Sequence, residues 1–509
     1  MGKISRIVFT IVIGIFTSVL SAQIKPHEAV SLMMRGINIG NTMESETEGA
    51  WGNPKIVESL FDDYKSAGFT SIRIPIRWDK HTLTSPPYTI DAAWMNRVEQ
   101  VADWGLSRGL FITINSHHDD WIKKSYADAG IKARYDSIWV QISERFKDKT
   151  DRLLFEIINE PKGLTQSQIN DLNSRVLQII RKTNPTRLVI FSGHEWSAAE
   201  QLMSAAIPNP DDEYLIGYFH SYDPWPFGLE GPGTYGSASD INATKARFDK
   251  VASWSKSKNI PVILSEFGAT KKCEYNSRMY CYATVVEQAI NHGVAFNVWD
   301  DGGDFQMMLR SQRKWNDLKD IVIYTYKESP TKLKLSLKND TNIVFSWTNR
   351  TSLNDSIVVD RKTSATGTFS KLATLPNDAV TFYDSLLTPD KEYYYRLRTG
   401  IKDSIQLCSY PVMIKTTKPV YLNSGPKKPF KNSDFQVWPN PADSWVSVRN
   451  TGDNTRIKLE IFDMQGQIKI SRFLENTDEI ISLTDFSAGV YLFKLTGKGN
   501  NELFKLMVR

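Results

Sequence analysis

Two glutamates, Glu160 and Glu266, stand at the ends of two apolar runs, LLFEIINEP (153–161) and PVILSEFG (261–268). A buried carboxyl group is costly unless it is paired or hydrogen-bonded, so each invites a chemical reading. Two facing carboxyls are what glycoside hydrolysis needs: one protonates the departing oxygen, the other attacks the anomeric carbon or activates water. Arg73, within SIRIPI (71–76), can hold one of them ionised, while a less compensated partner keeps its proton near neutral pH. Other polar and aromatic residues stand at the ends of similar runs. His117 and His118 follow LFITIN (110–115), and Asn159 precedes Glu160. His220 and Tyr222 lie in YLIGYFHSY (214–222), and Trp299 lies in VAFNVWD (294–300). A flat indole face can stack on the C–H groups of a sugar ring. The His117–His118 pair raises the question of a metal, but no carboxylate–histidine spacing completes a zinc motif. Neither metal nor cofactor is expected.

These residues need elements that bring them together. Eight runs read as strands: Arg35–Asn41, Ser71–Ile76, Leu110–Asn115, Leu153–Glu160, Leu188–Gly193, Tyr214–Tyr222, Pro261–Gly268 and Val294–Asp300. Helical periodicity lies between most of them. Ile56, Leu60 and Tyr64 recur every four residues, and Trp94, Val98, Val101 and Leu106 fall roughly on one face. Eight βα units in this length predict an α/β fold, a (β/α)8 TIM barrel. An open doubly wound sheet would carry a glycine-rich turn after its first strand, and GINIGNTMES lacks that spacing. In a barrel, functional groups gather at the C-terminal strand ends. Glu156, four residues before Glu160, is expected on the same face but deeper, as a structural carboxylate.

The set Arg73, His117, Asn159-Glu160-Pro161, His220-x-Tyr222, Glu266 and Trp299 resembles glycoside hydrolase family 5, the cellulase family. RGINIGNT and WGNPKIVESLFDDYKSAGFTSIRIPIRW resemble that family's opening, especially its endo-β-glucanase branches. The resemblance implies a retaining endo-β-1,4-glucanase with Glu160 as acid/base and Glu266 as nucleophile. It implies that Asn159 binds the sugar 2-hydroxyl and that Arg73 and Tyr222 hold Glu266 ionised and aimed. His117 and His220 would complete the hydrogen-bond network, and Trp299 would be the platform under the sugar at the cleavage point. His118, Trp51, Trp78, Trp121, Trp196 and Trp225 are further candidates near the active face, some of them expected to be packing residues. The family also leaves room for β-mannan, xyloglucan, lichenan or xylan as substrate. A barrel kept only as a glycan-binding protein would bear the mark of a lost carboxylate, and both are present.

The remaining segments read differently. MGKISRIVFTIVIGIFTSVLSA has a positive start, a short apolar core and a small residue at its end, the pattern of a signal peptide over residues 1–22. The barrel is expected over 23–328. Residues 329–420 turn to short strands, and a Trp on an early strand (Trp347) with Tyr393 after a Leu-x-Pro turn resembles a fibronectin type III β-sandwich. Residues 421–433 include NSGPKKPFKNS and read as a linker. Residues 434–509 are all-β in pattern. VWPNP, IFDMQG, FSAGVY and the terminal KLMVR, in that order, resemble the C-terminal sorting domain of type IX secretion. That resemblance implies the type IX machinery as a partner and a secreted or outer-membrane surface location. The 62 basic and 57 acidic residues give a formal charge of +5 with no basic stripe, so no nucleic acid is expected. A monomer is expected. Of the three cysteines, Cys273 and Cys281 are near enough in sequence to pair after export or to stay reduced, and Cys408 has no evident partner.

Overall fold

In the computed structural model, eight short parallel strands close a barrel in chain order. They are β1 (Arg35–Asn38), β2 (Ser71–Ile74), β3 (Phe111–Asn115), β4 (Leu153–Glu156), β5 (Val189–Phe191), β6 (Leu215–Ser221), β7 (Val262–Phe267) and β8 (Ala295–Val298). The ring closes where Gly36 of β1 meets Asn297 of β8. The structure describes residues 23–417 except 352–354, 386 and 403–404, and residues 434–509 except 453–455 and 498–500. The expected signal peptide and linker lie outside the described residues.

All eight expected strands are present, but most stop earlier than their apolar runs. β4 ends at Glu156 rather than Glu160, and β1 at Asn38 rather than Asn41. The residues beyond leave the ladder to form loops at the barrel mouth. The helices before, between and after these strands are α1 (Pro26–Met33), α2 (Ser59–Ala67), α3 (Ala92–Leu106), α4 (Asp120–Lys124), α5 (Ala129–Arg145), α6 (Gln166–Arg181), α7 (Ala199–Ser204), α8 (Ala238–Lys258), α9 (Tyr275–Asn291) and α10 (Leu318–Tyr324). Local chemistry sets several of their starts. Asp91 and Asp128 cap the first turns of α3 and α5, and Thr165 with Gln168 forms a capping box on α6.

Strand side chains alternate between the two faces of the wall. Phe111, Leu154, Ile190, Ile216, Ile263 and Ala295 form one buried cluster with Ala29, Val30 and Met33 of α1. This cluster is the floor of the barrel. Advancing along the same faces by twos leads from Leu154 to Glu156, from Phe111 to Asn115 and from Ile216 to His220. The interior therefore changes from apolar to polar toward the C-terminal ends. The opposite faces, among them Leu153, Phe155 and Phe191, join the large core beneath the helices. Each fully buried side chain of this size contributes roughly 1.5–3 kcal/mol.

Beyond the barrel, strands 331–339, 342–348 and 381–384 form one antiparallel sheet. Strands 370–375, 357–362, 392–402 and 405–408 form a second, to which 412–415 adds by pairing with 392–402. The two sheets share a core in which Phe345 meets Tyr395 at 5.6 Å between ring centroids. The Tyr393 hydroxyl accepts the backbone N–H of Thr388 at 2.9 Å. This sandwich is docked on α9: Arg350 makes a two-pronged ion pair with Glu287, 2.8 Å at each prong, and Asn276 exchanges hydrogen bonds with the backbone of Met413. Residues 434–509 belong to a separate unit. Its core gathers Val446, Leu459, Phe493 and Leu506, from two antiparallel sheets. Cys273, Cys281 and Cys408 are buried and unpaired. No described helix is long and apolar enough to cross a membrane.

Candidate active site

Arg73, wholly buried on β2, is the hub of the mouth. Its Nε and Nη2 donate to Glu156 at 2.7 and 2.5 Å, and Nη2 also reaches Asn159 Oδ1 at 2.8 Å. Its Nη1 donates to Glu266 Oε1 at 2.7 Å and to Asn38 Oδ1 at 3.0 Å. All five guanidinium N–H groups are thereby matched to acceptors. Burial alone would lower the pKa of Arg73, but the charges of Glu156 and Glu266 outweigh it and hold the group above its ordinary value. Register explains the convergence: Asn38 sits opposite Arg73, Asn115 opposite Glu156, and His220 opposite Glu266.

Glu156 is fully buried and accepts three hydrogen bonds, two from Arg73 and one from Asn115 Nδ2 at 3.0 Å. It forms the foundation of the site rather than part of its surface. Glu266 accepts from Arg73 and from the Tyr222 hydroxyl at 2.9 Å. Glu160 approaches His220 Nδ1 at 2.9 Å, while His220 Nε2 meets Ser265 Oγ at 3.0 Å. One carboxylate oxygen of Glu160, one of Glu266 and a ring nitrogen of His220 lie within 4.8 Å of one another. The Glu160 side chain is 25 % exposed and that of Glu266 6 %, so Glu160 is the more accessible of the two.

The simple charge division expected from the sequence needs correction here. Glu160 is not the uncompensated partner. Burial works to raise its pKa, but the hydrogen bond and charge of His220, with Lys123 and Arg73, bring it below the ordinary value. Burial pushes Glu266 above the ordinary value, against the pull of His220, Arg73 and Tyr222 and with the repulsion of Glu160. The charge on Glu160 is thus one of the forces that raise Glu266. Which carboxyl holds the proton depends on what lies between them.

The turn that delivers Asn159 and Glu160 is fixed from both sides. Tyr135 donates to Ile157 O at 2.7 Å, Tyr218 donates to Ile158 O, and Asn159 N–H reaches Ser116 O at 2.9 Å. Glu160 itself has a φ of +38°, outside the ordinary region for a residue with a side chain. Such strain costs about 1–3 kcal/mol and persists where the surroundings enforce it. His117 is buried, accepts from Asn115 Nδ2 at 3.1 Å, and is kept neutral because burial holds its pKa well below the usual value. Its ring lies parallel to Trp299, with centroids 6.3 Å apart. Trp299 passes close over the loop that follows β1: a Cβ on Gly40 would lie 2.8 Å from its ring, so only glycine fits there.

These residues line one wide cleft of about 930 Å3 at the barrel mouth. The cleft includes Glu160, Glu266, His117, His118, Asn159, His220, Tyr222 and Trp299, while Arg73 lies beneath it and Trp51, Trp78 and Trp121 do not line it. His118 lines it with burial lowering its pKa to about 4. Trp196 and Trp225 also line it, 43 and 50 % exposed. Trp51 stands edge-on to His118 at 5.2 Å. Trp78 and Trp121 are packing residues. Trp78 is fully buried and donates to Asn115 O, and Trp121 is held between Tyr135 and the Arg134 guanidinium. Sequence reasoning missed Asn38, Asn115, Tyr135, Tyr218 and Ser265. The asparagines gave a signal, being polar residues inside apolar strands, whereas the tyrosines read as ordinary core.

A TIM barrel whose mouth gathers a close carboxylate pair, an indole and a buried arginine is an arrangement suited to glycoside hydrolysis. Residues 33–304 match the family model for cellulase, glycosyl hydrolase family 5, and residues 436–509 match the secretion system C-terminal sorting domain. The chain belongs to glycosyl hydrolase family 5. It is 49 % identical over 280 residues to Endoglucanase H of Acetivibrio thermocellus, covering 55 % of this chain and 31 % of that protein. It is 32 % identical over 316 residues to Endoglucanase B of Paenibacillus lautus, covering 57 % of this chain and 55 % of that one. The chain thus spans at most about half the length of these relatives. Among solved structures it matches a hyperthermophilic endo-β-1,4-glucanase in complex with substrate at 33 % identity, TM-score 0.56, covering 59 % of this chain and 99 % of that one. It also matches Thermotoga maritima Cel5A in complex with mannotriose at 31 % identity, TM-score 0.56, covering 58 % and 99 %.

Proposed function

We propose that the protein is a secreted endo-β-1,4-glucanase that cleaves internal bonds with retention of anomeric configuration. The observation that carries this reading is the spacing of Glu160 and Glu266, within 4.8 Å at their nearest oxygens. Retaining enzymes set their carboxyls about 5–5.5 Å apart, whereas inverting ones leave roughly 6.5–9.5 Å for a water molecule. Glu266 attacks the anomeric carbon as Glu160 protonates the departing oxygen. Glu160 then takes a proton from the water that releases the glycosyl group from Glu266.

The proton has to be on Glu160 when the first step begins. A sugar chain seated over Glu160 strips water from its exposed flank and weakens the hold of His220, and both changes raise its pKa. Glu266 meanwhile keeps its Arg73 and Tyr222 donors, which favour the carboxylate. Asn159, with its oxygen tied to Arg73, is left with its amide N–H groups for the sugar 2-hydroxyl. His117, His118 and Trp299 form the wall on which the sugar stacks and hydrogen-bonds. The relatives' names support glucan as substrate. A β-mannan reading stands second, favoured by the mannotriose complex of a structure 31 % identical to this chain.

We take residues 23–328 as the catalytic unit, 329–420 as a fibronectin type III-like sandwich, and 434–509 as the sorting domain that engages the type IX machinery and brings the enzyme to the cell surface or beyond. Incubation with carboxymethyl cellulose, lichenan, xyloglucan, xylan and glucomannan, followed by product sizing, tests the reading. Mixed oligosaccharides from the β-1,4-glucans are expected. Binding to these polymers without release of reducing ends would overturn it in favour of a glycan-binding role.

A further inference from the structure

We propose that Lys123 is a substrate-binding residue whose ammonium donates to a hydroxyl of the sugar unit held beside His118 and Glu160. This rests on the glycan-hydrolase reading above and deepens it by adding a specificity contact. The short helix α4 follows β3. Ile122 anchors it fully buried in the core, and Trp121 is packed on Tyr135. That leaves Lys123 lining the cleft wall with His118 and Glu160.

The surroundings of Lys123 are crowded but leave its charge unanswered. Asp119, Asp120 and Glu160 exert an attractive field on it, and His117 and His118 lie on the same side. Yet among the described residues no hydrogen bond reaches its Nζ and no carboxylate oxygen comes within 4.0 Å. The neighbouring lysines differ. Lys124 is exposed and reaches Asp120 at 3.9 Å, and the Lys162 ammonium lies 3.9 Å from the centre of the Trp196 ring. Lys123 is half-buried, and burial lowers its pKa from the ordinary value. Its Nζ still meets water at the cleft wall, with no acceptor from the protein among the described residues. A bound sugar that displaces this water supplies oxygen lone pairs in its place. Glu160 and Glu266 disfavour an anionic ligand in the same cleft, so the acceptor is neutral: the hydroxyl or ring oxygen of a sugar.

The test compares wild type, Lys123→Met, Lys123→Gln and Lys123→Arg on soluble oligosaccharides of whichever polymer the wild type cleaves fastest, with Tm measured alongside. A hydrogen bond from a charged donor is strong enough that Lys123→Met and Lys123→Gln are expected to lose about tenfold or more in kcat/KM, chiefly through KM. Their Tm is expected to stay near wild type, because no hydrogen bond or ion pair of the fold is lost. Lys123→Arg is expected to recover part of the loss. A residue that merely supported the fold would instead lower Tm and leave KM alone. Values of kcat/KM within twofold of wild type in both Lys123→Met and Lys123→Gln would overturn the proposal. A wild type that cleaves none of the polymers would overturn the parent reading and this one with it, and that outcome is distinct from an active wild type matched by its Lys123 variants.

Discussion

At the N-terminal end of the barrel, Phe111, Leu154, Ile190 and Ile216 pack against α1, and the Ser71 hydroxyl that donates to Met33 O is a satisfied polar contact beside them. At the C-terminal end, Asn115, Glu156 and His220 continue the same strand faces and are joined by Arg73, Glu266 and Tyr222. The wall is common to both ends, so the difference lies in what each layer does. The floor holds the strands in place by burial, which is non-directional and tolerant of hydrophobic exchange. The mouth depends on hydrogen bonds with fixed partners, where removing one partner leaves another buried and unsatisfied. A site that must aim two carboxyls at one bond needs the second kind of interaction, and the second kind needs a rigid floor.

The comparison is sharpened first at the carboxyls themselves. Glu160→Gln and Glu266→Gln should each lower kcat by about 10³-fold or more, with Tm little changed, as measured by reducing-sugar release and thermal unfolding. Glu156→Gln should do the opposite. It leaves Arg73 short of a counter-charge, and breaking a buried ion pair costs about 3–5 kcal/mol, so Tm should fall further than turnover per folded molecule. If kcat fell while Tm held, the division between foundation and surface at the mouth would be wrong. On the floor, Leu154→Ala should cost about 2–5 kcal/mol and leave KM near wild type.

The two ends should also differ in their response to pH. Glu44, buried beside the β1 loop, accepts from Asn41 and Thr42 N–H, and burial pushes its carboxyl up to about 7 from an ordinary 4.5. The folded chain therefore binds more protons than the unfolded chain between these values. Its contribution to stability is fully present below about pH 4.5 and is lost as pH rises toward 7. Glu44→Gln should flatten the fall in Tm across that window, whereas Leu154→Ala should lower Tm equally at each pH. The smallest effect is expected at the rim: Trp196→Ala, at a cleft residue 43 % exposed, should raise KM on oligosaccharides several-fold and leave Tm unchanged.

Much of the fold was legible because apolar runs at regular spacing leave few alternatives to a barrel. Glu160 and Glu266 were legible as candidates because carboxyls in such runs need a reason to be there. The ends of the strands were less so. The run 153–161 is apolar almost throughout, and nothing in it says that pairing stops at Glu156. The i, i+4 relation therefore does not carry Glu160 into place. A turn held by Tyr135 and Tyr218 does, and these residues are far away in sequence. The hold of His220 on Glu160 was equally hidden, because it depends on the distance between a β6 side chain and the loop after β4 rather than on residue type. The tryptophans divide for the same reason: Trp78 and Trp196 look alike as letters, and only the path of the loops buries one and presents the other.

The most direct measurement is the anomeric configuration of the first product, followed by proton NMR during cleavage of a soluble cello-oligosaccharide. With Glu160 and Glu266 within 4.8 Å, the newly formed reducing end should appear first as the β-anomer and only later equilibrate. Early accumulation of the α-anomer would mean inversion, and would contradict the double displacement assigned to this pair.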